Sequence, residues 1–329
     1  MHTLSSATAS FTHAGRRRAN QDAVVVRRLG DGSDLVAVAD GMGGHAAGEV
    51  ASRMALEVLI AELETGTPLR DAVAAANTAL YTRARERVEW HGMGTTLVVL
   101  LRSGSEFRIA NVGDSRAYLI DAGTIRQITR DHSFSAEAAR AGTMSADEVA
   151  ASPWRNALTR AIGTDESVEV DVFGPYAVQS QHAVLLCSDG LYRTVPDDVI
   201  RAYLMGTTDL PTASQALAAL AYRRGSDDNI SLAMVEFDLL PRRLPSVTLP
   251  LAIQIQTERT PATPVVRPAP RTGGSPAPPL PRSLQRPQTG SRRRKRGSGG
   301  RGGRTGIAIL MLLVLATLGG VLWWMATQG

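Results

Sequence analysis

Val36-Ala37-Val38-Ala39-Asp40-Gly41-Met42-Gly43-Gly44-His45 is a short apolar run that ends in an aspartate and passes at once into a glycine-rich turn. From residue 46 to 63 apolar side chains recur at helical spacing, so the stretch predicts strand, sharp turn and helix. Gly41, Gly43 and Gly44 leave the backbone uncovered, and a ligand can approach it closely. An aspartate at the end of a buried strand, beside bare carbonyls, offers hard oxygen donors of the kind that suit magnesium or manganese. A tight turn with an aspartate cap would look the same in isolation. The rest of the chain decides between the two.

Working outward, residues 23–26 and 35–39 flank Gly30-Asp31-Gly32 and predict a hairpin. Residues 51–64 and 69–86 read as Ala-rich amphipathic helices. Residues 95–102 and 107–112, on either side of Ser103-Gly104-Ser105, predict a second hairpin, and 117–120 continues as strand after Gly113-Asp114-Ser115-Arg116. Residues 131–163 read as helical or irregular, with a break at Ser152-Pro153. Strands follow at 168–171 and 183–187, helices at 196–205 and 212–222, and an alternating strand at 230–237 closes the domain near residue 240. Short strands at hairpin spacing, without regular intervening helices, predict antiparallel rather than doubly wound parallel sheet.

Charge divides the 329 residues unevenly. From residue 241 onward there are 14 Lys or Arg against the single acid Glu258, so residues 1–240 carry a net −8 although the whole chain is +5. Residues 241–304 hold 12 of the 17 prolines and too little apolar surface to fold alone, which predicts an extended, basic, disordered linker. Residues 307–325 form an uncharged run closing with Trp323-Trp324. That is long enough for one C-terminal transmembrane helix, placed at 305–327. Arg292-Arg293-Arg294-Lys295-Arg296 lies just before it. Positive charge stays on the cytoplasmic side, so the expectation is a single-pass protein of the cell membrane with its folded domain facing the cytoplasm. Anionic lipid headgroups are the nearest partner of the arginine run, and the acidic folded part argues against specific nucleic-acid binding. Residues 1–22 contain no export signal core. The lone Cys187 excludes a disulfide framework and, lying in an apolar run, reads as a core residue.

Asp40, Asp114, Asp189 and Asp228 each end or precede a β-like run beside Gly or Asn, and Asp22 likewise lies just before a strand. They are 18, 74, 75 and 39 residues apart, so only the fold can group them. Carboxylates converging on one sheet edge without arginine or lysine partners would repel, and bound cations would relieve this. Two divalent ions can share a hydroxide and support in-line attack on phosphorus. No Ser–His or Cys–His pairing competes, which leaves water as the nucleophile.

Eight motifs occur in order: Arg17-x-x-Asn20-Gln21-Asp22, Asp40-Gly41-Met42-Gly43-Gly44-His45, Gly94-Thr95-Thr96, Gly113-Asp114-Ser115-Arg116, Thr129-Arg130-Asp131-His132-Ser133, Arg155-Asn156-x-Leu158-Thr159-Arg160-Ala161-Ile162-Gly163, Ser188-Asp189-Gly190-Leu191 and Asp228-Asn229. Over about residues 8–238 the chain resembles the metal-dependent Ser/Thr protein phosphatases of the 2C type in their bacterial form. The resemblance implies an α+β fold, a four-layer α-β-β-α sandwich of two antiparallel sheets flanked by helices, within residues 1–240. It implies hydrolysis of phosphoserine and phosphothreonine on phosphorylated proteins, in opposition to a Ser/Thr kinase, with two or three manganese or magnesium ions.

By the same resemblance, Asp40 bridges two metals and the Gly41 carbonyl binds one of them. Asp189 and Asp228 complete the first metal's shell, and Asp22 acts through metal-bound water. Asp114 with Asp189 holds a labile third metal, and Arg17 grips the substrate phosphate. Two departures stand out. Met42 occupies the place of a proton-donating histidine in the animal enzymes, as is usual in bacterial members. Gln21 replaces a common Glu, which leaves one carboxylate fewer. His45, His91 and His132 read as structural, and residues 133–153 match the family's flap.

Overall fold

The computed structural model describes residues 6–44 and 46–238. His45, the expected linker and the expected membrane span lie outside the described residues, and among these no helix is long and apolar enough to cross a membrane. The elements run β1 (Ser6–His13), β2 (Asp22–Arg28), β3 (Asp34–Met42), α1 (Ala47–Glu64), α2 (Leu69–Ala84), β4 (Gly94–Thr95), β5 (Leu97–Ser103) and β6 (Glu106–Val112). There follow β7 (Arg116–Ile120), β8 (Ile125–Gln127), α3 (Phe134–Ala141), α4 (Ala146–Ala151) and β9 (Asp171–Ala177). The last are β10 (His182–Cys187), α5 (Asp189–Tyr192), α6 (Asp197–Gly206), α7 (Leu210–Arg223) and β11 (Ile230–Phe237).

Two antiparallel sheets result, ordered β1-β11-β10-β7-β8 and β2-β3-β5-β6-β9, with β4 paired to β3. Side-chain alternation sorts each central strand between two cores. On β3, Val36 and Val38 enter the core between the sheets, while Leu35, Ala37 and Ala39 pack under α1 and α2. On β10, Val184 and Leu186 face the other sheet, while Leu185 and Cys187 meet α5, α6 and α7. Both faces of these strands are therefore dry, and helices cover the two outer faces. Each fully buried Val or Leu contributes about 1.5–3 kcal/mol. The expected α+β sandwich is the architecture found. Small residues on α1 (Ala47, Ala51 and Ala55 at fourfold spacing, then Leu59) let the helix lie close on its sheet.

Four details depart from expectation. β1 and β8 are strands in addition to those expected. The strand expected at 168–171 starts at Asp171 and runs to Ala177, with a register shift between Phe107 and Ile109 of its neighbour. Residues 113–115 do more than interrupt a strand, because β6 and β7 belong to different sheets and this turn crosses between them. β11 is buried at every position rather than alternately, since it lies inside its sheet with one face on helices and the other on the opposite sheet.

Candidate active site

The hairpin β2–β3 places Asp22 directly opposite Asp40 in register, so their side chains leave the same face as close neighbours. Thr95 and Thr96 fix the end of β3. The Asp40 amide donates to Thr96 Oγ1 at 3.0 Å, and Thr95 Oγ1 donates to the Asp40 carbonyl at 2.9 Å. Beyond Asp40 the chain is squeezed between two backbones. A Cβ on Gly41 would come 2.0 Å from the Gly48 carbonyl oxygen and 2.5 Å from that of Gln21. No other residue fits there. The Gly41 amide donates to Gln21, and its carbonyl lies against Gly48 in the first turn of α1.

The second sheet brings the remaining acids. Asp189 follows β10, and Asp228 precedes β11, its hydrogen-bonded neighbour. Gly190 makes their approach possible, since a Cβ there would meet the Asn229 carbonyl oxygen at 1.9 Å. Ser188 joins the sheets by donating from Oγ to Asp22 Oδ2 at 2.9 Å. Asp114 sits in the turn between β6 and β7, buried.

The electrostatics record the crowding. Asp40 is held well above the usual carboxylate range by burial first, then by the charges of Asp22, Asp189, Asp114 and Asp228. Burial pushes Asp22 up to about 6 and Asp189 up to about 7, and raises Asp114. Asp22 Oδ1 and Asp189 Oδ1 are buried without a hydrogen-bond partner among the described residues. Orphaned, dehydrated carboxylate oxygens are costly unless a cation meets them. The donor set is all oxygen and fits hard divalent ions on the Asp40 side.

The acids are not free of cationic partners, contrary to expectation. Arg17 Nη2 donates to Asp228 Oδ2 at 2.9 Å, and its Nε donates to the Asp227 carbonyl at 2.7 Å. Arg193 pairs with Asp189 at 3.0 Å and with Asp114 at 3.3 Å. Among the described residues no three His, Cys, Asp or Glu side chains close on one point as a ready ion cage, and guanidinium groups stand among the carboxylates. Binding two ions would therefore draw the acids inward and free Asp228 from Arg17. Arg17 is 54% exposed at the rim, where a phosphate could reach it. Asp227 is exposed, as a surface neighbour should be.

Other residues support the site. Asn229 ties down the loop that carries Arg17: its Oδ1 accepts from the Gln21 amide at 2.8 Å, and its Nδ2 donates to the carbonyls of Ala14 and Ala19 at 2.9 Å each. Gln21 Nε2 donates to the Gly43 carbonyl at 3.4 Å, a bond that a carboxylate in its place could not make. Met42 packs over Gly94. His132 is structural, accepting from the Gly113 amide at 3.1 Å while its other nitrogen lies 3.3 Å from Asp171. Burial pushes the Cys187 thiol up, consistent with an inert core residue.

Buried carboxylates gathered at the strand ends of two antiparallel sheets, beside an exposed arginine, are a constellation suited to hydrolysis of phosphate esters. Residues 11–222 match the protein phosphatase 2C family, and the chain belongs to it as a serine/threonine protein phosphatase. It is 38% identical over 242 residues to the serine/threonine phosphatase stp of Listeria welshimeri, across 70% of this chain and 96% of that one. The crystal structure of Stp1 from Staphylococcus aureus superposes with a TM-score of 0.65 at 34% identity, over 70% of this chain and 95% of that one. The catalytic domain of the phosphatase PstP, solved in complex with two manganese ions, gives 0.61 at 31% identity, over 72% of this chain and all of that one.

Proposed function

We propose that the chain removes phosphate from phosphoserine and phosphothreonine of proteins, using divalent cations held by Asp40, Asp189, Asp228 and the Gly41 carbonyl, with Asp22 acting on them through water. The observation that carries this reading is the convergence of buried acids from both sheets, two of which present oxygens without hydrogen bonds. When bound, the ions neutralise the carboxylates and supply the Lewis-acid charge that makes water an effective nucleophile. Manganese is favoured by the ions in the related PstP domain.

The chain's own residues do the rest. Arg17 binds the phosphate dianion through its planar fork. Ser188 orients Asp22, and Thr95 and Thr96 orient Asp40. Met42 has no proton to give, so the departing serine or threonine oxygen takes its proton from water. The purified full chain should hydrolyse a phosphopeptide or an aryl phosphate with manganese and lose this with EDTA. Asp40→Asn should abolish turnover, and full activity in that variant would defeat the assignment.

The reading extends to the cell. A Ser/Thr kinase that supplies the phosphorylated substrates is the implied opposing enzyme. The arginine run and apolar segment at 292–325 support a membrane anchor with the catalytic domain in the cytoplasm. Release of the full chain from membranes by high salt alone, without detergent, would remove the anchor from this proposal.

A further inference from the structure

Asp189 and Asp114 share one cation. Arg193 closes the single turn of α5, its amide donating to the Asp189 carbonyl at 3.1 Å. Its guanidinium reaches two carboxylates, with Nε 3.0 Å from Asp189 Oδ2 and Nη2 3.3 Å from Asp114 Oδ2. Tyr192 grips the same target, donating from its hydroxyl to the Asp114 carbonyl at 3.0 Å. The Tyr192 ring in turn lies 3.6 Å from the guanidinium of Arg116, which is forked onto Asp131. Consecutive residues of one turn thus hold Asp114 by side chain and by backbone. Both carboxylates are buried, with only 7% of the Asp114 side chain and 12% of the Asp189 side chain exposed.

We propose that the Arg193 guanidinium is the resident cation of the Asp114–Asp189 pair, so that this pair takes no divalent ion of its own. Its charge cannot be titrated away near neutrality. An incoming ion would have to expel it and would still face a tethered positive charge a few ångströms off. Asp189 consequently divides its oxygens: Oδ2 belongs to Arg193, and Oδ1, which has no partner among the described residues, is the one left for the ions on the Asp40 side. Asp114 then acts as an anchor for α5 rather than as a ligand. The inference rests on the two-ion reading above.

The test is manganese content, measured on the full chain at saturating metal by equilibrium dialysis and elemental analysis. Arg193→Met keeps an apolar stem and removes the charge, and it should bind one ion per chain more than the unaltered protein. Adding Asp114→Asn to that variant should remove the extra ion, and Arg193→Lys should keep the original count. An unchanged count in Arg193→Met, or an extra ion that survives Asp114→Asn, would overturn the proposal. Should Arg193→Met not fold, Asp114→Asn in the otherwise unaltered chain still decides, since losing an ion there contradicts the assignment and an unchanged count supports it. The count in the unaltered chain tests the catalytic reading separately: two ions agree with it, and none defeats it, while the difference between variants continues to report on Arg193.

Discussion

Asp228 accepts from Arg17 at 2.9 Å in the described structure, although the same arginine is the group best placed to receive a phosphate. The two roles are compatible if each cation serves in turn: were Asp228 to hold a divalent ion, the Arg17 guanidinium would be free to turn toward substrate. Asp228 takes only Nη2 while Nε goes to the Asp227 carbonyl, whereas a phosphate can take two parallel donors from the planar fork, which an ammonium cannot present. Arg17→Lys should therefore raise KM for a phosphopeptide and lower kcat/KM by roughly 10–100-fold, the worth of one charge-assisted hydrogen bond. Steady-state kinetics at saturating manganese would check this, and unchanged kcat/KM would remove Arg17 from the phosphate site. The sequence located Arg17 and the acids through their motifs, and Asp189 and Arg193 stand at the local i,i+4 spacing, but it could not show that Arg17 meets Asp228 or that Arg193 also reaches Asp114. The contacts from Arg17 to Asp228 and from Arg193 to Asp114 span 211 and 79 residues. No local pattern encodes such separations.

At the scale of elements, the legible parts were those governed by short-range rules. The β2–β3 hairpin follows from Gly30-Asp31-Gly32 between apolar runs, and its register alone sets Asp22 against Asp40. Strand, glycine turn and helix at β3–α1 follow from a short apolar run, a glycine cluster and then apolar residues at helical spacing. β9 runs past the expected 168–171 because Gly174-Pro175, a pair that disfavours strand, here lies inside one whose neighbour shifts register. β11 reads as half-exposed because Ser231 and Glu236 interrupt its apolar residues, although both of its faces pack and every position is buried. The start of α5 at Asp189-Gly190 is as sterically constrained as the strand end at Gly41. Gly190→Ala would push a methyl against the Asn229 carbonyl oxygen and separate Asp189 from Asp228. The expected cost is about 3 kcal/mol, read as a lower urea midpoint, together with weaker manganese binding. A variant of native stability and affinity would show that the two strand ends need not approach so closely.

For the whole molecule, the site sets how stability depends on pH. Asp22, Asp40, Asp114 and Asp189 are all held above the ordinary carboxylate range in the folded chain, with burial the first cause in each. A group whose folded pKa is raised takes up protons more readily folded than unfolded. Its contribution is complete below its unfolded pKa, near about 4, and is lost as pH rises through the folded value. Those values are about 6 for Asp22 and about 7 for Asp189. Without metal, these groups should therefore withdraw stability progressively as pH rises from about 4 through about 7. Divalent cations bind the deprotonated carboxylates, so the same window is where metal should begin to stabilise. The gap between melting temperatures in manganese and in EDTA should therefore widen steadily from about pH 5 to pH 8. Thermal unfolding of the full chain in the two conditions measures that gap directly. A gap that stays constant or narrows with pH would mean that these carboxylates are not where the metal binds.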